Sequence, residues 1–282
     1  MTRRTFLASS AAAASTTSGP LPDIRTVNPD LETPGLSSGP PAAGKRVKAQ
    51  RPGYGEGVYH ALYLPTDWKK RRHYPLIVEY AGAGNYANDY GDVSTGVPEG
   101  SNLGYGISGG QGFIWLCLPY VDPAAGRNAI TWWGDAEATV DYCLGAVKEV
   151  CDKWGADRHR ILLAGFSRGS IACNYIGLRN DAIATLWRGF VCYSQYDGVR
   201  TWSYADSDKR SAVSRLKRLG SRPQFICDEN GLDDTRTHIE STGIRGHFSF
   251  HPLPFRNHND AWVLRPVPLR KTLRDWTKKT LG

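Results

Sequence analysis

The chain has 282 residues, 40% hydrophobic, 22% charged and 11% aromatic, with a formal net charge of +8. Six Cys in that length exclude a disulfide-stapled miniprotein, and 9 Trp, 14 Tyr and 8 Phe are too many to leave in water, which excludes disorder throughout. No run approaches the ~18 consecutive apolar residues a membrane span needs. At the N-terminus, Thr2-Arg3-Arg4-Thr5-Phe6-Leu7 precedes the small-residue run 8–15, with Ala12-Ala13-Ala14 as an A-x-A-like cleavage site. This is similar to a twin-arginine export signal and predicts a periplasmic or secreted protein. Residues 15–44 carry Pro20, Pro22, Pro29, Pro34, Pro40 and Pro41 without hydrophobic periodicity, so 1–44 reads as signal plus linker and 45–282 as the folded domain.

Beyond Lys45, short apolar runs rich in strand formers predict strands at 58–64 and 76–80. Residues 82–112 are rich in Gly, Asn and Tyr and read as surface loops with room for one short helix. Within them, Gly104-Tyr105-Gly106-Ile107-Ser108-Gly109 matches G-x-G-x-x-G formally. It does not open a helix after a strand, so no dinucleotide cofactor is expected. A buried strand follows at 113–118, then a helix at 135–154 with Val140, Cys143, Leu144, Val147 and Val150 on one side. Strands at 160–164, 189–193, 224–227 and 248–253 alternate with helices at 167–178 and 207–219, the pattern of βαβ units around a mostly parallel sheet. The chain closes on a helix whose apolar Leu269, Leu273 and Trp276 leave a basic outer face. From Arg265 onward six basic residues face Asp275 alone, so much of the positive charge is local. No zinc-finger, RNP or continuous basic-helix pattern points to nucleic acid. All six Cys lie in apolar segments, read as buried free thiols, and no C-x-x-C pair suggests a metal.

The segment that carries chemistry is Arg160-Ile161-Leu162-Leu163-Ala164-Gly165-Phe166-Ser167-Arg168-Gly169-Ser170-Ile171-Ala172. An apolar strand runs into Gly-x-Ser-x-Gly and out into a helix. Such a turn is so tight that side chains at Gly165 and Gly169 would clash, and it lifts the Ser167 hydroxyl above the sheet. On these residues, with Asp157-Arg158-His159-Arg160-Ile161 leading in, the chain from about residue 56 to 281 resembles the α/β-hydrolase superfamily, particularly its secreted esterase-like and polyester-depolymerase-like branches. The resemblance implies a mostly parallel sheet with helices on both faces and a triad in the order Ser, acid, His. It implies Ser167 as nucleophile and His258, in the polar loop between the last strand and the last helix, as base.

The family often carries its acid as Gly-x-x-Asp after the seventh strand. Gly231-Leu232-Asp233-Asp234 fits with Asp234 as the acid. The glycine comes later than usual, so Asp233, Asp228, Glu229 and Asp197 stay open. The oxyanion amides implied are those of Arg168 and, from Ala81-Gly82-Ala83-Gly84-Asn85, Ala83. The loop aromatics Tyr86, Tyr90, Tyr105, Trp132, Trp133 and Trp202 are candidates to line the mouth, with Trp132 and Trp133 taken as substrate-binding. The function implied is a serine carboxylic-ester hydrolase without cofactor or metal, acting on a small-molecule or carbohydrate-linked ester, sugar and phenolic esters being candidates. A serine peptidase and a catalytically inactive binding protein on the same fold are the alternatives.

Overall fold

The computed structural model describes residues 20–282. The twin-arginine-like segment and the cleavage site lie outside the described residues. Nine strands form one sheet: β1 (Leu36–Ser37), β2 (Arg46–Ala49), β3 (His60–Tyr63), β4 (Tyr74–Tyr80), β5 (Ile114–Leu118), β6 (Ala156–Phe166), β7 (Gly189–Tyr193), β8 (Gln224–Asp228) and β9 (Phe248–Pro252). Their spatial order is β1-β2-β3-β5-β4-β6-β7-β8-β9. The β2–β3 and β3–β5 pairings are antiparallel, and every pairing from β5 through β4 to β9 is parallel. A parallel sheet is covered on both faces, which is why Leu76, Ile77 and Val78 run apolar without alternation and are all fully buried.

The helices are α1 (Leu103–Ser108), α2 (Ala136–Trp154), α3 (Arg168–Tyr175), α4 (Asp181–Ala184), α5 (Lys209–Leu216), α6 (Asp233–Ser241) and α7 (Pro268–Leu281). Successive strand side chains point to opposite faces. Leu76, Val78 and Leu163 therefore pack with Val140 and Val147 of α2 and Ile171 of α3. Ile77, Leu162, Val191 and Phe225 pack with Leu103 and Ile107 of α1 and Leu273 of α7. The helix α2 starts where the Asp135 carboxylate accepts the Ala138 N–H, and it ends at Gly155, whose φ of 79° favours glycine. Among the described residues, no helix is long and apolar enough to cross a membrane. All six cysteines are unpaired.

Three expectations change. The proline-rich stretch read as a linker is docked: Ile24 is buried, its N–H donates to Asn257 Oδ1 at 2.7 Å, the Asp30 carboxylate accepts from Arg270 at 2.5 Å, and Leu31 N–H donates to Leu264 O. Ordered structure thus begins well before Lys45. Prolines had suppressed any periodic signal, yet an extended strap needs none to dock. The basic face of α7 is not wholly solvated, because Arg270 turns in to Asp30 and Arg274 donates to Gly106 O at 2.7 Å. In the G-x-G-x-x-G stretch, Gly104 and Gly106 lie in α1 and Gly109 caps its C-terminal end at φ 63°. A Cβ on Gly104 would overlap the Trp115 ring and one on Gly106 would overlap Val263, so the first two glycines serve close packing.

Candidate active site

The strand β6 delivers Ser167 at its C-terminal end, and α3 begins at the next residue. Ser167 has φ 53° and ψ −114°, a conformation that costs a non-glycine residue energy and survives only where the surroundings enforce it. They do so here. A Cβ on Gly165 would overlap the Gly169 carbonyl and one on Gly169 would overlap the Tyr80 carbonyl, while Ser167 N–H donates to Tyr193 O at 2.8 Å. Two absent side chains and one hydrogen bond from the neighbouring strand hold the turn.

His258 sits in the loop after β9. Its Nδ1 lies 2.6 Å from Glu229 Oε1 and 2.7 Å from Ser194 Oγ, and the Ser194 hydroxyl itself donates to Glu229 Oε1 at 2.7 Å. The Glu229 carboxylate follows the last residue of β8 and its side chain is 1% exposed. Asn230 Nδ2 adds a third donor to Oε1 at 3.0 Å. These contacts occupy Nδ1 and leave Nε2 free of hydrogen bonds among the described residues. Asp92, 2% exposed, fixes the loop from below: its carboxylate accepts from His258 N–H and from the side chains of Asn88, Asn257 and Asn259. Burial and the neighbouring Glu229 push the Asp228 carboxyl up to about 7.

Ser167 and His258 open into one cavity of about 500 Å³, shared with Ala83, Arg168, Tyr86, Tyr90, Trp132 and Trp202. Neither the Ala83 nor the Arg168 main-chain N–H donates to another group among the described residues. Both amides stay available to a ligand. Loss of solvent on burial presses the Arg168 pKa down to about 10, which leaves it charged at neutral pH.

The residues singled out from sequence divide. Ser167, His258, Ala83, Arg168 and Trp132 come together at this cavity. Asp234 does not: it lies in the first turn of α6, exposed to solvent, and Asp233 beside it is exposed as well. The carboxylate on His258 is Glu229, because the chain turns toward the histidine directly after β8, and residues 233–241 form a helix that carries Asp234 away. That helix went unpredicted because Ile239 is its only large apolar residue. Asp197 is held in a buried fork with Arg215 at 2.9 and 3.1 Å. Trp133 is 4% exposed and stacks on Tyr175 at 4.6 Å, and Tyr105 packs edge-on against Tyr63. Both belong to the core instead of the mouth. Sequence reasoning missed Ser194 and Asp92. Ser194, at φ 79°, follows β7 as Glu229 follows β8, and that position after a strand was its one available signal.

No group of three or more His, Cys, Asp or Glu suited to a metal occurs among the described residues. No family model matches the sequence. Comparison with curated proteins finds no relative by sequence. Solved structures are similar in fold. Fungal esterases from Rhizomucor miehei superpose with a TM-score of 0.54 at 10% identity, over 84% of this chain and 82% of theirs. A thermostable esterase gives 0.50 at 15% identity over 83% of this chain and 62% of its own. The dipeptidyl peptidase 4 of Porphyromonas gingivalis gives 0.55 at 15% identity over 83% of this chain. The present chain spans 35% of that peptidase, and less than two thirds of the thermostable esterase.

Proposed function

Since the chain has the α/β-hydrolase fold, we propose that it is a serine hydrolase that cleaves carboxylic esters through an acyl-enzyme. One observation carries this reading: a serine on a strained elbow and a histidine backed by a buried carboxylate open into the same cavity as two unengaged amides. Ser167 Oγ attacks the ester carbonyl carbon while His258 Nε2 takes the hydroxyl proton. Glu229, bonded at Nδ1, holds the tautomer that leaves Nε2 basic and stabilises the imidazolium. The Ala83 and Arg168 N–H groups receive the oxyanion. The imidazolium then protonates the departing alkoxide, and water, deprotonated by the same imidazole, releases the acid and restores Ser167.

The walls favour ring-bearing substrates. Trp132 and Trp202 lie 5.3 Å apart at the cavity, which Tyr86 also lines, its ring 4.9 Å from His258. Aromatic faces of this kind suit sugar or phenolic esters. The paired Arg3-Arg4 of the N-terminal segment support action outside the cytoplasm.

The test compares the full chain with Ser167→Ala on p-nitrophenyl acetate, p-nitrophenyl butyrate and an aminoacyl anilide. Ester turnover should fall by about 10³-fold or more in the variant, and the wild type should prefer the esters. Unchanged turnover in Ser167→Ala would overturn the mechanism, and preference for the anilide would assign a peptidase.

A further inference from the structure

Arg168 is the residue after the nucleophile, and only its main-chain N–H has so far been given a task. Its side chain is 2% exposed and has no carboxylate partner among the described residues. Four carbonyl oxygens surround it instead: Nη2 donates to Gly82 O at 2.9 Å and Gly96 O at 3.0 Å, and Nη1 donates to Trp132 O at 2.7 Å and more weakly to Ala129 O at 3.4 Å. The Tyr120 ring closes one face at 3.9 Å. Burying a cation without a counter-ion is costly unless dipoles are held around it. A planar fork of five N–H donors is suited to gather several carbonyls at once, whereas an ammonium is a point charge.

The gathered carbonyls come from three separate loops, and one of them matters most. Gly82 C=O and Ala83 N–H belong to the same peptide unit, which is planar and trans, so the oxygen and the hydrogen point in opposite directions. A group that fixes the Gly82 oxygen therefore also fixes where the Ala83 N–H points. We propose that the Arg168 guanidinium is the positioning group of the oxyanion hole, aiming the Ala83 amide at the cavity through the shared peptide plane while its own main-chain N–H supplies the second donor. The same cation anchors Trp132, whose φ of 44° is unusual for a tryptophan, on the cavity wall. The proposal rests on the serine-hydrolase reading above.

Arg168→Lys keeps the charge and removes the fork. Its kcat on p-nitrophenyl acetate should fall by about 10²-fold, with KM within about threefold, because an oxyanion donor acts in the transition state. Affinity for phenylboronic acid, which forms a tetrahedral adduct on Ser167, should fall by the same factor as kcat/KM. In Arg168→Ala, added methylguanidine should restore part of kcat. A kcat within threefold of wild type in Arg168→Lys, or a lost kcat with unchanged boronate affinity, would overturn the proposal.

Should the variants not fold, the wild type still decides. The caged Arg168 Hη resonances should shift when the boronate adduct forms, and unmoved resonances would refute the coupling. The hydrolase reading fails separately, if wild type neither turns over esters nor takes a fluorophosphonate on Ser167. In that event, hydrogen exchange at the Gly84 amide, bonded to Ile130 O at 2.5 Å, still tests the clamp. It should quicken at least tenfold in Arg168→Lys, and an unchanged rate would reject it.

Discussion

Glu229 and Asp234 stand on either side of Gly231, and the backbone decides between them. Glu229 is reached while the chain is still leaving β8, so its side chain falls beside His258. By Asp234 the chain is helical and turned to solvent. Glu229→Gln keeps the size of the side chain but removes the charge that holds the histidine tautomer, so kcat should fall by roughly 10²- to 10⁴-fold in steady-state ester assays. Asp234→Asn should stay within twofold. The nucleophile was legible because strand, Gly-x-Ser-x-Gly and helix are all local. The acid was not, because a run of four carboxylates within seven residues offers several spacings and only the tertiary path selects one. Asp92 was less legible still: it lies far from His258 in sequence, and its role appears only when both loops are folded.

At the scale of elements, apolar periodicity located the interior strands and the long helix α2 to within a few residues. It failed at the sheet edge and at the strap of residues 20–37. β1 and β2 are short and carry polar or half-buried residues, and the strap is held by backbone bonds, ion pairs and single buried side chains such as Ile24. None of these leaves a period to read. The strap supports what it covers. Removing residues 1–44 would expose the Ile24 site, strip Arg270 of Asp30 and strip the Arg265 guanidinium of Ile24 O and Val27 O. An apolar side chain and a half-buried ion pair together contribute about 2–4 kcal/mol. Differential scanning calorimetry should therefore find the Tm of residues 45–282 lower than that of 20–282 by roughly 5–15 °C, at ~2–4 °C per kcal/mol. Equal melting temperatures would mean the strap contributes nothing.

Across the whole molecule, the alternation of strands and helices was enough to anticipate a mostly parallel sheet, because covered parallel sheets demand apolar runs that periodicity can find. The resemblance carried by the elbow segment narrowed this to the α/β-hydrolase fold. Charges buried within such a layered core respond to pH. Glu79, fully buried, accepts from Leu103 N, Gly104 N and Trp115 Nε1, yet burial, with Asp260 nearby, pushes its carboxyl up to about 7 from an ordinary 4.5. The native state then holds this proton over a range where the unfolded chain has lost it, so stability falls as pH rises from about 4.5 to 7. Thermal melts should record that decline, roughly 1–3 kcal/mol from this group, and Glu79→Gln should show a shallower one between pH 5 and 8. The strap has a kinetic consequence as well. Ile24 meets Asn257 across 233 positions, and Asn257 shares Asp92 with the histidine loop. Contacts of such high contact order close late, after the loop-closure entropy has been met by earlier packing. The elbow is held among β4, β6 and β7 by contacts of shorter sequence separation. Asp92 can hold the histidine loop by itself, and the Ile24–Asn257 bond adds its longest-range fastening, so the final setting of the loop trails the elbow it serves.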